Sequence, residues 1–320
     1  MAEPRSDVGA GLARWLRDRG VDADVEVTGR ATVGLSQETW FVRVNGAQAP
    51  ADAVLRLPTP ASGPRAILTQ AAALGAVAGR VPAPAVLWHD EGEDNPFGRP
   101  FLVMERVDGA VPVGWHDVPE PARTRLAEQA VDVLAALRTV APGPLAGVPE
   151  HARPTSLAFY ARRLERFAPL PPVLEGALWW LSRHEPEPVE PVLVHGDLRM
   201  GNLIVDGDRL AGILDWEMAA PGDPIADLTW CFIPLWAPPG LDEAALVARY
   251  EERTGAAVDP ERFRWHRVLG YVRLAYYALS GTRAFDGGHS DDLRLAALRL
   301  QLPVHLDRLA ATLAGESVTT

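Results

Sequence analysis

The sequence predicts an α+β fold in which a small β-rich lobe precedes a larger helical lobe. Two patterns indicate this order: strand and turn signals dominate up to residue 105, and helical periodicity dominates after residue 109. The length of 320 residues, 48% of them hydrophobic, is enough for two lobes with sizeable cores. We therefore expect an N-lobe over residues 1–107 and a C-lobe over residues 108–320.

The N-lobe is expected to contain a five-stranded sheet and one main helix. Residues 1–21 are typical of a charged amphipathic helix, and residues 65–78 have the Ala- and Leu-rich spacing of the main helix. β-branched and aromatic residues between turn signals predict the strands. They are Val25–Val33, Thr39–Val44, Ala53–Leu57, Ala85–His89 and Phe101–Glu105.

The C-lobe is expected to be mostly helical, with one strand-like stretch at residues 192–215. A Pro-rich connector at residues 185–191 leads into that stretch. Hydrophobic periodicity predicts the helices. They span residues 119–140, 157–167, 174–182, 241–254, 260–281 and 291–313.

Composition excludes several classes of function. The net charge is −11, whereas a protein that binds nucleic acid through its phosphates needs a basic surface. All 31 basic residues are arginine, so Schiff-base chemistry and the lysine-bearing phosphate loop are excluded. No run approaches the ~20 apolar residues of a membrane span. With Cys231 as the single cysteine, we expect a cytoplasmic protein, a monomer or homodimer, without membrane or nucleic-acid partners.

The most informative segment is residues 192–216, VLVHGDLRMGNLIVDGDRLAGILDW. An apolar strand leads to His195 and Asp197, and Asn202 follows five residues later. Asn202 and Asp215 lie at equal distances from the turn centre of a predicted hairpin, so they should face each other. Two hard oxygen ligands beside the carboxylate of Asp197 predict a magnesium site with a positioned base. An Asp-Gly turn alone would indicate only a hairpin, but the joint pattern is far more specific.

These motifs resemble the aminoglycoside phosphotransferase family, small-molecule kinases with the protein-kinase-like fold. The resemblance covers about residues 28–230 and is carried by HGDLRMGNL and DWEMAAPGDPIADLTW. The residues of these motifs are most similar to those of the broad phosphotransferase branch that includes domains fused to acyl-CoA dehydrogenases. The resemblance implies a bilobal fold and transfer of the γ-phosphoryl group of ATP or GTP to a hydroxyl of a small molecule, with Mg²⁺.

The resemblance also implies roles for individual residues. Asp197 would orient and deprotonate the acceptor hydroxyl, and Asn202 and Asp215 would hold Mg²⁺ on the nucleotide phosphates. His195 would brace the loop, with a minor possibility that it is the base, and Arg199 is a further catalytic candidate. Asp227 would support the loop by accepting hydrogen bonds, or is simply a carboxylate favoured at a helix N-terminus.

Nucleotide binding is assigned to two N-lobe segments. The turn before the second strand, with Gly34, Ser36, Gln37 and Thr39, would cover the phosphates; a plain hairpin turn is the alternative. The stretch 101–109 resembles the family's hinge. Backbone groups of Glu105 and Val107 would then contact the adenine edge, and Met104 would lie at the back of the adenine pocket. The alternative for this stretch is an edge strand that leaves the sheet.

Three features depart from the pattern of the family or its fold, one of them being Trp216-Glu217, which stands where protein kinases have Phe-Gly. The other two concern the nucleotide. Arg56 stands where the third-strand lysine is usual, and Gln70 lies near the usual helix glutamate. An arginine keeps its charge and binds phosphate oxygens in a bidentate manner, so Arg56 can replace the lysine. The neutral Gln70 removes the usual ion pair.

The acceptor is expected to bind near the C-terminal helices, against aromatic side chains. Antibiotics, sugars, nucleosides and other metabolites all fit this description, and the negative net charge mildly favours a cation. The candidate contact residues are Glu217, Trp230, Trp236 and Tyr271, although aromatic residues of this kind more often belong to the core.

Three functions remain open. The leading one is an O-phosphotransferase that uses ATP or GTP. A nucleotide-binding regulatory pseudokinase with little turnover is the second, supported only by Arg56 and Gln70. A metal-dependent phosphohydrolase is the third, although a single hairpin carboxylate argues against a two-metal centre.

Overall fold

The computed structural model describes residues 5–31, 37–46, 51–60, 62–112, 114–238 and 240–316. The chain divides into two compact units. Unit 1 comprises Met1–Ala110, Leu203–Asp206 and Leu210–Met218, and unit 2 comprises Val111–Asn202, Gly207–Arg209 and Ala219–Thr320.

Unit 1 is built on a five-stranded sheet in the order β1-β2-β3-β5-β4, with every neighbouring pair antiparallel. Because successive side chains point to opposite faces, Trp40, Val42 and Val44 are buried together on one face of β2. The strands are β1 (Ala23–Arg30), β2 (Gln37–Gly46), β3 (Ala51–Pro58), β4 (Val86–Asp90) and β5 (Phe101–Glu105).

The helix α1 (Arg5–Arg17) packs against the sheet of unit 1. Leu12 and Leu16 of this helix share a core with Trp40 and Leu55 of the strands, all of them buried. The Nε1 of Trp15 donates a hydrogen bond to the Oδ2 of Asp90, 2.7 Å away, at the end of β4. The polar edge of a buried indole is therefore paired, as it must be to avoid a desolvation cost.

A second helix, α2 (Pro64–Val77), contacts β3, β4 and β5. Its first residue is Pro64, which suits the first helical turn because a proline there has no N–H to leave unpaired. Ile67, Leu74 and Val77 are buried at helical spacing. The same helix contacts residues 216–218, which follow the hairpin.

The hairpin of β7 (Leu203–Asp206) and β8 (Arg209–Ile213) lies mainly in unit 1. Ala110 and Val205 form an antiparallel bridge, and the N–H of Ile213 donates to the carbonyl of Pro82 at 2.9 Å. Gly109 has a φ of +138°, and a Cβ there would lie 2.6 Å from the Cγ2 of Ile204. Only glycine permits both this backbone conformation and this close approach.

Unit 2 is mostly helical, with one short antiparallel pair of strands, β6 (Val192–Val194) and β9 (Ala220–Gly222). Its helices are α3 (Glu120–Leu137), α4 (Leu157–Leu164), α5 (Pro172–Arg183), α6 (Pro224–Cys231), α7 (Glu243–Thr254), α8 (Pro260–Asp286), α9 (Leu293–Ala297) and α10 (Leu302–Ala314).

The 27-residue helix α8 is the centre of unit 2 and contacts α4, α5, α6, α9 and α10. Leu269, Val272 and Ala275 of α8 are buried in the core. Outside this core, Asp132 of α3 accepts bidentate hydrogen bonds from Arg249 of α7. Across the residues described, no helix combines the length and apolar character needed to cross a membrane.

The predicted α+β class is confirmed, with the sheet in unit 1 and the helices concentrated in unit 2. The expectation of one helix over residues 291–313 was wrong, since α9 ends at Ala297 and α10 begins at Leu302. Pro303 lies in the first turn of α10, and because proline lacks an N–H, it favours a new helix start over a continuous helix. The end of the predicted first strand, at Val33, lies outside the described residues.

Replacing Leu55 by alanine should lower the free energy of unfolding by about 2–5 kcal/mol, because it leaves a cavity at a fully buried position. Chemical denaturation measures this change. The control is Leu293→Ala, in which the same atoms are removed from a residue that is 73% exposed. Equal losses in the two variants would contradict the position of Leu55 in the core.

Candidate active site

Asp227 holds the loop formed by residues 195–202, which follows β6. Its Oδ2 accepts a hydrogen bond from the N–H of His195 at 2.5 Å, and its Oδ1 accepts one from Gly196 at 2.9 Å. Burial raises the pKa of this carboxyl, against the opposing effect of His195 and the two N–H groups. Asp227 lies in the first turn of α6, so the helix start fixes its position relative to the loop.

His195 is fully buried and faces its own loop. Its Nδ1 accepts a hydrogen bond from the N–H of Asp197 at 3.0 Å. Between them, Gly196 has a φ of +81°, a backbone region that favours glycine. The imidazole therefore stabilises a tight turn that points the next side chain, Asp197, out of the loop.

The carboxylate of Asp197 is oriented by four side-chain donors, all within unit 2. Its Oδ1 accepts from the Nε1 of Trp230 at 2.9 Å and from Arg273 at 3.3 Å. Its Oδ2 accepts from the Nδ2 of Asn202 at 3.0 Å and from the Nε of Arg199 at 3.3 Å. The side chain is 15% exposed, so it is restrained but accessible.

Asn202, at the end of the loop, is oriented through its amide nitrogen. Nδ2 donates to the backbone carbonyl of Asp197 at 2.8 Å as well as to its side chain. Both contacts use the nitrogen, so Oδ1 is the atom of this amide that can bind a metal ion.

Asp215 follows β8 in unit 1 and has a φ of +67°, the only non-glycine residue with a positive φ among the residues described. Such a conformation costs about 1–3 kcal/mol and is concentrated at functional sites. Its side chain is 31% exposed. The predicted metal ligands are thus an amide oxygen and a carboxylate, a donor set of hard oxygens that fits Mg²⁺.

No group of three or more His, Cys, Asp or Glu side chains in the described part of the chain could hold a metal ion. The predicted magnesium ligands include only one carboxylate, so this finding leaves that prediction open.

Arg56 of β3 forms an ion pair with Asp215, 3.2 Å from NH1 to Oδ1 within unit 1. The side chain of Arg56 is 11% exposed. Gln70, on α2, is buried, and its Oε1 has no hydrogen-bond partner. The guanidinium of Arg56 is therefore paired with the carboxylate of Asp215, which follows the hairpin.

A second polar contact in unit 1 links the start of β2 to the segment after Asp215. The Nε2 of Gln37 donates to the Oε2 of Glu217 at 2.6 Å. Thr39, also predicted to bind nucleotide, lies in β2 opposite Arg56. The other two residues predicted in this turn, Gly34 and Ser36, lie outside the described residues.

The predicted hinge residues Met104, Glu105 and Val107 lie at the end of β5 or just after it. Met104 is buried, and the N–H of Glu105 donates to the carbonyl of Ala85 at 2.8 Å. This N–H is therefore committed to the fold, and only the carbonyl of Glu105 could meet an adenine edge. Val107 lies against the hairpin, because a Cβ at Gly212 would be 3.3 Å from its Cγ1.

The predicted acceptor contacts have different environments. Tyr271 is fully buried and Trp230 is 4% exposed, which makes both of them core residues rather than open contact surface. Trp236 is half-buried, donates through Nε1 to the carbonyl of Trp230 at 2.7 Å, and lies under the guanidinium of Arg199. Glu217 is half-buried and engaged by Gln37.

Sequence reasoning missed Arg273 entirely. It lies on α8, 76 residues after Asp197, within a helix whose pattern indicates only packing. No spacing rule connects these two positions, so nothing in the sequence could have identified the contact.

Comparisons with known proteins identify the family of this chain. The model of the phosphotransferase enzyme family matches residues 29–266. Acyl-CoA dehydrogenase family member 10 of Mus musculus is 36% identical over 69 residues, 21% of this chain and 6% of that protein. The chain thus spans only a small part of this curated relative.

Two solved structures share the fold. A candidate aminoglycoside phosphotransferase from Ralstonia eutropha JMP134 is 22% identical, with a TM-score of 0.78 over 97% of this chain and 99% of that one. A thermostable mutant of aminoglycoside phosphotransferase APH(4)-Ia, in complex with ADP and hygromycin B, is 17% identical, with a TM-score of 0.62 over 98% and 100%. These likenesses confirm the protein-kinase-like fold. Since the family model covers well over half of the sequence, the chain belongs to the phosphotransferase enzyme family.

Proposed function

We propose that this protein transfers the γ-phosphoryl group of ATP or GTP to a hydroxyl group of a small molecule. The observation that carries the proposal is the carboxylate of Asp197, oriented by four donors yet 15% exposed. A base must be held within hydrogen-bond reach of the proton it accepts, and this carboxylate is held on both oxygens.

In the proposed reaction, Asp197 binds the acceptor hydroxyl, aligns its oxygen with the γ-phosphorus and accepts its proton as the new P–O bond forms. The bond between the γ-phosphorus and the β,γ-bridging oxygen breaks, and the nucleoside diphosphate leaves. Such transfer depends mainly on positioning and charge neutralisation. His195 and Asp227 keep the loop in place through the hydrogen bonds to its backbone.

Mg²⁺, when bound, would neutralise the charge of the nucleotide phosphates. We assign Asn202 and Asp215 as its ligands. Asn202 directly precedes β7, and Asp215 follows β8 by two residues, so the hairpin ends carry both. The amide of Asn202 has its nitrogen bound to Asp197, which leaves Oδ1 for the metal.

Arg56 is assigned to the nucleotide phosphates. Its planar guanidinium can bind a phosphate oxygen and Asp215 at the same time, which a lysine could do only as a point charge. The carbonyl of Glu105 and the backbone of Val107 are assigned as contacts of the adenine edge, and Met104 is assigned to the back of the adenine pocket. The turn that precedes β2, including Gly34 and Ser36, is assigned to the phosphates on the basis of the sequence alone.

The acceptor is proposed only as a class, a hydroxylated small molecule such as an antibiotic, a sugar, a nucleoside or another metabolite. Trp236 and Glu217 remain candidates for contact with it because both are half-buried. The hygromycin B complex of a relative with this fold supports including aminoglycosides among the molecules to be tested.

A nucleotide-binding regulator with little turnover is a second candidate. The observations that favour it are the buried, uncharged Gln70 in α2 and the ion pair of Arg56 with Asp215. This candidate predicts nucleotide binding without transfer to any acceptor.

Asp197→Asn should lower kcat by at least about 100-fold, because the amide cannot accept the proton. The measurement is transfer from γ-labelled ATP to a panel of aminoglycosides, sugars, nucleosides and hydroxylated metabolites. Asp206→Asn is the control, since it makes the same change at an exposed position in the hairpin nine residues away. Undiminished transfer by Asp197→Asn would contradict the assignment of the base.

Arg56→Ala should weaken ATP binding about 10-fold or more, because a charge-assisted hydrogen bond to phosphate is lost. Arg56→Lys should retain part of the affinity. The shift in Tm on adding ATP measures both. Arg43→Ala removes an exposed arginine that pairs with Asp52 from the neighbouring strand, and should bind ATP normally. An Arg56→Ala variant that binds ATP as tightly as Arg43→Ala would refute the phosphate role.

Asp215→Asn should abolish the additional rise in Tm that Mg²⁺ produces in the presence of ATP, because the ligand charge is lost. Asparagine is the right replacement, since it tolerates the left-handed backbone at this position better than alanine. ATP without Mg²⁺ should still raise the Tm of this variant. Retention of the full Mg²⁺ effect would show that the metal is held elsewhere.

A further inference from the structure

Arg273 is a buried arginine in the middle of α8, with 4% of its surface exposed. Its NH1 donates to the carbonyl of Gly196 at 2.5 Å, and its NH2 donates to the Oδ1 of Asp197 at 3.3 Å. Its Nε donates to the hydroxyl of Tyr277 at 3.0 Å. The Cζ lies 3.5 Å from the centre of the Trp230 ring. These hydrogen bonds and the cation–π contact restrain the guanidinium.

A buried cation of this kind is costly unless it is compensated. Burial by itself would lower the pKa of Arg273, but Tyr160, Tyr277 and Asp197 together raise it, so the guanidinium stays charged. Asp197 is the carboxylate that compensates this charge at hydrogen-bonding distance. A charge kept inside the protein at this cost calls for a role beyond packing.

The contacts of Arg273 converge on the turn that carries Asp197. The N–H of Gly196 is held by Asp227, and its carbonyl is held by Arg273, so the peptide groups on both sides of this glycine are fixed. Trp230, which lies against the guanidinium, donates to the same Oδ1 atom that Arg273 contacts. Arg273 therefore restrains three groups: the Gly196 carbonyl, the carboxylate of Asp197, and the indole of Trp230 that donates to the same carboxylate oxygen.

We propose that Arg273 is a positioning residue that sets the orientation of the Asp197 carboxylate for turnover. The inference rests on the proposed function, in which Asp197 accepts the proton of the acceptor hydroxyl. All four contacts of Arg273 given above lie within unit 2, and none is to a residue assigned to the nucleotide. Its loss should therefore lower kcat and leave the KM for ATP unchanged.

Arg273→Met keeps the length and apolar bulk of the side chain but removes its donors and charge. We expect kcat to fall by about 100-fold, the effect of misplacing a catalytic group by about 1 Å. The KM for ATP and the ATP-induced shift in Tm should match those of the unmodified protein. Arg273→Lys, which restores the charge but not the fork of donors, should recover part of the lost kcat.

The matched control is Arg267→Met, six residues earlier on the same helix. Arg267 is also buried, at 8% exposure, pairs with Glu243 at 2.5 Å and lies against the ring of Phe263. Its replacement should reduce stability in a similar way without lowering kcat. Equal losses of kcat in Arg267→Met and Arg273→Met would overturn the proposal, as would wild-type kcat in Arg273→Met.

Crystal structures of the unmodified protein and of Arg273→Met, or of Arg273→Lys if the methionine variant does not fold, give a readout that needs no acceptor. The Asp197 carboxylate should be rotated or disordered in the variant, and an unchanged carboxylate would overturn the positioning role. If the unmodified protein transfers phosphate to no acceptor, the proposed function fails, and this structural comparison still decides the inference about Arg273.

Discussion

The buried carboxylate of Asp227 is the constraint on which the site in unit 2 depends. It accepts hydrogen bonds from the N–H groups of His195 and Gly196, and a buried donor left without a partner costs about 1–3 kcal/mol. With this backbone fixed, the Nδ1 of His195 accepts a hydrogen bond from the N–H of Asp197. The side chain of Asp197 then points out of the loop in a single direction. The loop that carries the candidate base is thus held from α6.

The ion pairs of the candidate site residues differ in solvent exposure between the two units. In unit 2, the negative charge of Asp197 lies beside Arg199 and the deeply buried Arg273. In unit 1, the ion pair of Asp215 with Arg56 is partly open to solvent, and its carboxylate is 31% exposed. A buried pair of this kind is strongly restrained, whereas an accessible pair can be rearranged by phosphate and metal at lower cost. This contrast suits a fixed base in one unit and an adaptable ligand in the other.

The sequence predicted best what depends on neighbours in the chain. The β-branched and aromatic residues between turn signals predicted the five strands, and the apolar runs before His195 and after Asn202 predicted a loop between two strands. It could not predict Arg273 or the indole of Trp230 as donors to Asp197, because those contacts are set by how α6 and α8 pack. For the same reason, the sequence left Tyr271 either as a core residue or as an acceptor contact, and it is fully buried in the core of unit 2.

In the proposed function, Asp197 is the base, and Asn202 and Asp215 hold the metal ion. A crystal structure with Mg²⁺ and AMP-PNP is the sharpest test of these roles. We expect a metal ion bound by the Oδ1 of Asn202 and the carboxylate of Asp215, and an Asp197 that keeps its contacts with Trp230 and Arg273 and faces the γ-phosphate. A nucleotide bound away from these three side chains, or a metal ion that none of them contacts, would refute the proposed roles.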